Sequence, residues 1–172
     1  FNCYWWNKHG FAENQHVLNK IQRIVREAIV CESDGPEHCL NALAAVLRWG
    51  AGGVGQRLYA SNMQWARGRQ DIVELMASGR REMTSDTPNL SVFRGPNGAR
   101  MNAGFTKYYA LACDGVVIYD GRVGAALGLA IRNYCESYGI DEVPKELHFR
   151  WGPQNPGRGD PGSALCRDPS TT

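Results

Sequence analysis

An amine and a carboxylate stand out in this sequence. The amine is Lys107, within Gly104-Phe105-Thr106-Lys107-Tyr108-Tyr109, and the carboxylate is Asp120, within Val117-Ile118-Tyr119-Asp120-Gly121-Arg122-Val123. Phe105, Tyr108 and Tyr109 surround the lysine in sequence, an environment that disfavours the ammonium and exposes a nucleophilic lone pair. Asp120 has the chemistry of a helix N-cap, and a carboxylate so placed stabilises developing positive charge or moves protons to and from an amine. Each residue also has a plainer reading. Lys107 alone is a lysine whose stem lies on an amphipathic helix with its head in water, and Asp120 alone is a cap contributing about 1 kcal/mol to its helix.

The elements that must position the pair read as helices. Apolar residues at three- and four-residue intervals predict an amphipathic helix over Glu13 to Val30, with Val17, Leu18, Ile21, Ile24, Val25 and Ala28 facing inward. After the turn cluster 32–36, Leu40, Leu43, Ala44, Val46 and Leu47 predict a more apolar, central helix from His38 to Trp49, stopped by Gly50. Helical patterns recur over Gly55 to Arg67 and Arg69 to Ala77, the latter closed by Gly79-Arg80-Arg81. The polar stretch 84–100 reads as a loop holding one short turn at Leu90, Val92 and Phe93. A helix from about Thr106 to Cys113, a break at Asp114-Gly115 and a long helix from about Gly121 to Tyr138 follow. Strand-like alternation is almost lacking, so the expected fold is all-α, a helical bundle. The expected organisation is one domain over 1–162, with its chemistry within about 39–138, and residues 163–172 as a disordered tail.

The chain has 172 residues, 43% hydrophobic and 10% aromatic, enough for one continuous core. Six cysteines without C-x-x-C spacing and four scattered histidines argue for buried thiols in a reducing compartment, with no metal and no cofactor. No run of 18 or more apolar residues exists. A soluble cytoplasmic monomer, away from any membrane, is the expectation. Gly50-Ala51-Gly52-Gly53-Val54-Gly55 has the spacing of a dinucleotide-binding loop, but it follows a helix rather than a strand, and reads instead as a helix-to-helix turn with close backbone approach. Net charge is only +2, yet residues 48–107 hold nine basic residues (Arg48, Arg57, Arg67, Arg69, Arg80, Arg81, Arg94, Arg100, Lys107) against four acidic ones. On a shared face they attract phosphates; dispersed, they are a solvated surface.

Thr106-Lys107 opening an apolar helix, then an apolar triplet leading into Asp120, resembles the active-site region of helix-hairpin-helix DNA glycosylases. The likeness is to the 8-oxoguanine DNA glycosylase branch and its small bacterial members, which Arg48-Trp49-Gly50-Ala51-Gly52 also resembles. It covers about Cys39 to Tyr138. Two departures accompany it: Lys107 and Asp120 lie only thirteen positions apart, and the hairpin is reduced to Arg100-Met101-Asn102-Ala103-Gly104.

The resemblance implies double-stranded DNA carrying a damaged or modified base, an oxidised purine foremost, as the partner. Lys107 is then the nucleophile that attacks C1′ of the deoxyribose, and Asp120 stabilises the cationic sugar. Gly104, Thr106 and Arg122 are implied as DNA-binding residues, with Arg122 equally suited to supporting Asp120. Trp49, Tyr108 and Tyr109 are implied as walls for an extruded base. Two other readings stay open. One is a non-catalytic DNA-binding or sensing protein that keeps the fold, with Lys107 turned into the core. The other is an interaction protein in which the lysine and aspartate coincide by chance.

Overall fold

The computed structural model describes residues 6–52 and 55–149. Six α-helices run in chain order: α1 Phe11–Val30, α2 Pro36–Ala51, α3 Gln56–Arg67, α4 Ile72–Met83, α5 Phe105–Ala112 and α6 Gly121–Ser137. Short 3-10 turns lie at Glu32–Asp34, Leu90–Phe93 and Lys145–Leu147. The only pairing outside helices among the described residues is an isolated bridge between Trp6 and His9. The protein is therefore all-α. No helix among the described residues is long and apolar enough to cross a membrane.

The chain falls into two compact units, Phe1–Ile118 and Tyr119–Thr172, where the sequence reading had a single domain over 1–162. The boundary lies inside the apolar connector, a composition that gives no sign of a break. The expectation for 163–172 falls outside the described residues.

In the first unit α2 is central, meeting α1, α3, α4 and α5. Its apolar stripe explains this: Leu43, Val46 and Leu47 are buried, each such side chain stabilising the fold by roughly 1.5–3 kcal/mol. Ile21, Val25 and Ala28 of α1, Met63 and Ala66 of α3, Ile72 and Met76 of α4, and Phe105, Tyr108 and Tyr109 of α5 complete the core. Ile24, expected on the inner face of α1, is exposed at the edge of that stripe.

Two helix ends differ from the sequence reading. Helix α2 runs through Gly50 and ends at Ala51, where Gly52 turns the chain with φ +57°. Helix α4 starts at Ile72 and continues to Met83, so Gly79 is interior rather than a stop. Gly79 serves space instead of termination: a Cβ there would collide with the Tyr109 hydroxyl and lie 2.8 Å from its ring. The partner that requires this glycine sits thirty positions downstream, beyond any local pattern.

In the second unit Asp120 caps α6, its Oδ1 accepting from the backbone N–H of Arg122 (2.8 Å) and Val123 (3.3 Å). After Gly139, at φ +62°, the chain turns back so that Ile140 N–H donates to the Cys135 carbonyl at 2.9 Å.

Candidate active site

Lys107 lies on the first turn and a half of α5, and the segment before it fixes how that helix begins. The Asn102 carboxamide oxygen accepts from the N–H of Gly104 (2.8 Å) and Phe105 (3.2 Å), while the Asn102 carbonyl accepts from Thr106 N–H at 2.9 Å. Asn102 is oriented by Asn62, fully buried on α3, whose Oδ1 accepts from Asn102 Nδ2 at 3.0 Å. Gly104 fits because it has no side chain; a Cβ there would stand 2.7 Å from both Asn62 Nδ2 and Leu47 Cδ2. The amides at Gly104 and Phe105 are thus satisfied within the protein. Gly104, implied as a DNA-binding residue, is a buried junction between α3 and α5. Thr106, half-buried, donates its hydroxyl to the Ala103 carbonyl at 3.4 Å.

The Lys107 side chain is 6% exposed. Its Nζ donates to the Ala103 carbonyl at 2.6 Å. Its stem crosses α2 at Gly50, where a Cβ would come within 2.6 Å of Lys107 Cδ and 3.1 Å of Cε. Gly50 inside a helix costs about 1 kcal/mol relative to alanine, and here that cost makes room for a lysine. The turn-like glycine run therefore has one member, Gly50, that is a notch in a helix; Gly53 and Val54 lie outside the described residues.

Trp49, beside the notch, is tied down rather than free to wall a pocket. Its Nε1 donates to Asn14 Oδ1 (3.1 Å), its carbonyl accepts from Trp6 Nε1 (3.2 Å) and Asn7 Nδ2 (2.9 Å), and its ring lies 6.1 Å from that of Trp6. Asn14, buried on α1, in turn donates Nδ2 to the carbonyls of Trp6, His9 and Gly10. An asparagine inside an apolar stripe is the one sequence signal for this network.

Tyr108 and Tyr109, implied as walls for a base, are buried in the core. Tyr108 accepts from Arg80 Nη1 at 2.9 Å, and burial pushes its phenol well above the ordinary range, so it stays neutral. Arg80 also pairs with Glu32 at 2.6 Å, both side chains being largely buried. Tyr109, fully buried, packs edge-on against Phe93 (5.8 Å) and Tyr108 (5.4 Å). Its hydroxyl has no hydrogen-bond partner among the described residues. Burial, helped by Glu32, pushes the nearby Cys39 thiol up to about 11, and Cys113 is raised by burial as well. Cys39, Cys113 and Cys135 are buried free thiols. Such thiols are poor nucleophiles.

Asp120 belongs to the second unit. Its side chain is 15% exposed, and its Oδ2 accepts from Arg122 Nη2 at 2.9 Å. Burial by itself would raise its pKa, but the Arg122 guanidinium and the two capping amides outweigh that, and the carboxyl sits below its ordinary value. It is ionised at neutral pH. Arg122 thus supports Asp120, one of the two roles suited to it.

The nine basic residues of 48–107 divide. Arg69 pairs with Asp71 (2.7 Å), Arg81 with Glu74 (2.8 Å) and Arg80 with Glu32, while Lys107 is buried. Four of the rest lie on or beside α3. Arg57 and Arg67 are exposed on it, Arg48 lies 5.8 Å from the Tyr59 ring, and Arg100 lies 5.6 Å from the Trp65 ring while donating to the Ser61 carbonyl at 3.2 Å. Helix α3 has no acidic residue. Its outward face, Arg57, Ser61, Gln64 and Arg67, is cationic and polar, with Arg94 exposed on the loop beyond. No family model, curated protein or solved structure matches the chain.

Proposed function

We propose that the protein is a DNA glycosylase with abasic-site lyase activity, acting on a damaged or modified base through Lys107. One observation carries the reading. Two of the three stretches that resemble the glycosylases, separated by more than fifty positions, are brought together with the Lys107 stem in the Gly50 notch. The acid-free outer face of α3, flanked by Arg48 and Arg100, supplies the phosphate attraction that a DNA-directed enzyme needs.

In this reading the neutral amine attacks C1′, the glycosidic bond electrons leave with the base, and the base takes up a proton. Loss of the amine proton and ring opening give an imine, from which elimination cleaves the strand on its 3′ side. For Asp120 the resemblance alone implies a role, and its carboxylate is ionised, the state that an electrostatic role requires. Attack requires the amine to leave the Ala103 carbonyl, so DNA binding must move that loop or the lysine stem.

A second reading, a DNA-binding protein without the chemistry, is favoured by the burial of Lys107 and its bond to Ala103. Borohydride trapping decides between them. On duplex DNA containing 8-oxoguanine or an abasic site, the enzyme gives a covalent adduct that Lys107→Gln abolishes. Absence of any adduct, with DNA binding that weakens steeply as salt rises, leaves the second reading standing. Loss of both adduct and binding overturns the two together.

A further inference from the structure

The turn between α1 and α2 brings together three side chains of different donor chemistry, far along the chain from Lys107. Cys31 is the C-terminal cap of α1, Asp34 ends the 3-10 turn, and His38 lies on the first turn of α2. One ligand atom from each, a thiol sulfur, a carboxylate oxygen and a ring nitrogen, lie within 4.8 Å of one another. We propose that Cys31, Asp34 and His38 form a binding site for a borderline divalent metal ion of the zinc class, with water as the fourth ligand.

The chemistry favours zinc over magnesium or calcium, because thiolate and imidazole are ligands that hard cations avoid. The distances suit it. Zinc bonds of about 2.0–2.3 Å to nitrogen, oxygen and sulfur set tetrahedral ligand separations of roughly 3.3–3.8 Å, so small rotamer changes close the set around an ion.

The turn is built for this approach. Asp34 N–H donates to the Cys31 carbonyl at 3.0 Å, and Gly35, at φ +113°, reverses the chain so that His38 returns over the turn. The last turn of α1 has no basic side chain of its own, and its terminal carbonyls present their negative end here. Glu32, the other acid of the turn, is engaged by Arg80 and leaves the set to these three. Asp34 and His38 are exposed and Cys31 is partly so, which gives an ion direct entry. On binding, the Cys31 thiol proton passes to solvent and a sulfur–metal bond replaces it. The sequence reading, which looked for paired cysteines, had no pattern for a site assembled from a helix cap, a 3-10 turn and a helix start.

The test uses the full chain with a non-thiol reductant, titrated with Zn2+ against a chromophoric chelator and separately with Co2+. The expected result is one ion per chain, with thiolate-to-cobalt charge-transfer absorption in the near ultraviolet. Cys31→Ser removes that absorption. Cys31→Ser and His38→Gln each weaken Zn2+ binding by more than about tenfold, the loss that changes to groups merely supporting metal ligands already bring. The control His16→Gln, an exposed histidine of α1, leaves affinity unchanged. All three substitutions are at exposed or half-exposed positions, and unchanged far-ultraviolet circular dichroism verifies folding. No binding by the wild type, charge transfer that survives Cys31→Ser, or equal losses in the His16 control and the His38 variant each overturn the site.

Discussion

The two side chains at the centre of the proposed chemistry are held in opposite ways. Lys107 is fixed largely by residues distant in sequence, the notch at Gly50 and the Asn62–Asn102 pair that sets the start of α5, together with its bond to Ala103. Asp120 is fixed almost wholly by its own neighbours, Arg122 and Val123. The difference separates what a tertiary fold positions from what a capping motif positions. A lysine stem lying against a core pins its amine only as long as that core is intact, whereas a cap needs only the first turn of its helix.

The largest effect should come from disturbing the tertiary side. Gly79→Val drives a side chain into the rigid Tyr109 ring, and with overpacking costs of about 1–3 kcal/mol, occasionally more, we expect a loss near the top of that range. Urea denaturation should show it, and amide exchange should lose protection in α2, α4 and α5 together. A loss confined to α4 would mean that α5 is held more locally than described.

A smaller and local effect is expected at Asp120. Asp120→Ala should cost about 1 kcal/mol, read by amide exchange in α6, and Asp120→Asn should recover part of it because an amide oxygen still caps. The pH dependence has a definite sign. Because the folded carboxyl titrates below its unfolded value, its contribution is complete above the ordinary carboxylate range and disappears as pH falls through the depressed folded value. Acid titration of the wild type and Asp120→Asn should therefore converge at low pH. Curves that stay parallel would place the stabilisation elsewhere.

The smallest effect sharpens the tertiary case. Tyr109→Phe removes a buried hydroxyl without a partner among the described residues, so stability should hold or rise by up to about 1 kcal/mol in the same urea experiment. A clear loss would reveal a hidden partner for that oxygen.

The same division governs what could be read from the chain. Helices α1, α2, α3, α5 and α6 follow from periodicity, and the Asp120 cap from its place before Gly121, since both signals lie within a few residues. Gly79 looked like a stop, and Gly50 like the start of a loop, because their reasons for being glycine, Tyr109 and Lys107, are remote. Tyr108 and Tyr109 looked available to a ligand because side-chain burial depends on Arg80, Phe93 and the neighbouring helices, none of them adjacent. The Asn14–Trp49 and Asn62–Asn102 bonds join positions 35 and 40 residues apart and leave no mark on local patterns.

The bond between the Lys107 amine and the Ala103 carbonyl spans only four positions, yet it couples two things usually treated apart. A displacement of the 102–104 loop changes the oxygen that the amine holds, and withdrawal of the amine leaves that carbonyl to the Thr106 hydroxyl. Movement of the loop and the reach of the lysine are thus linked through one shared oxygen.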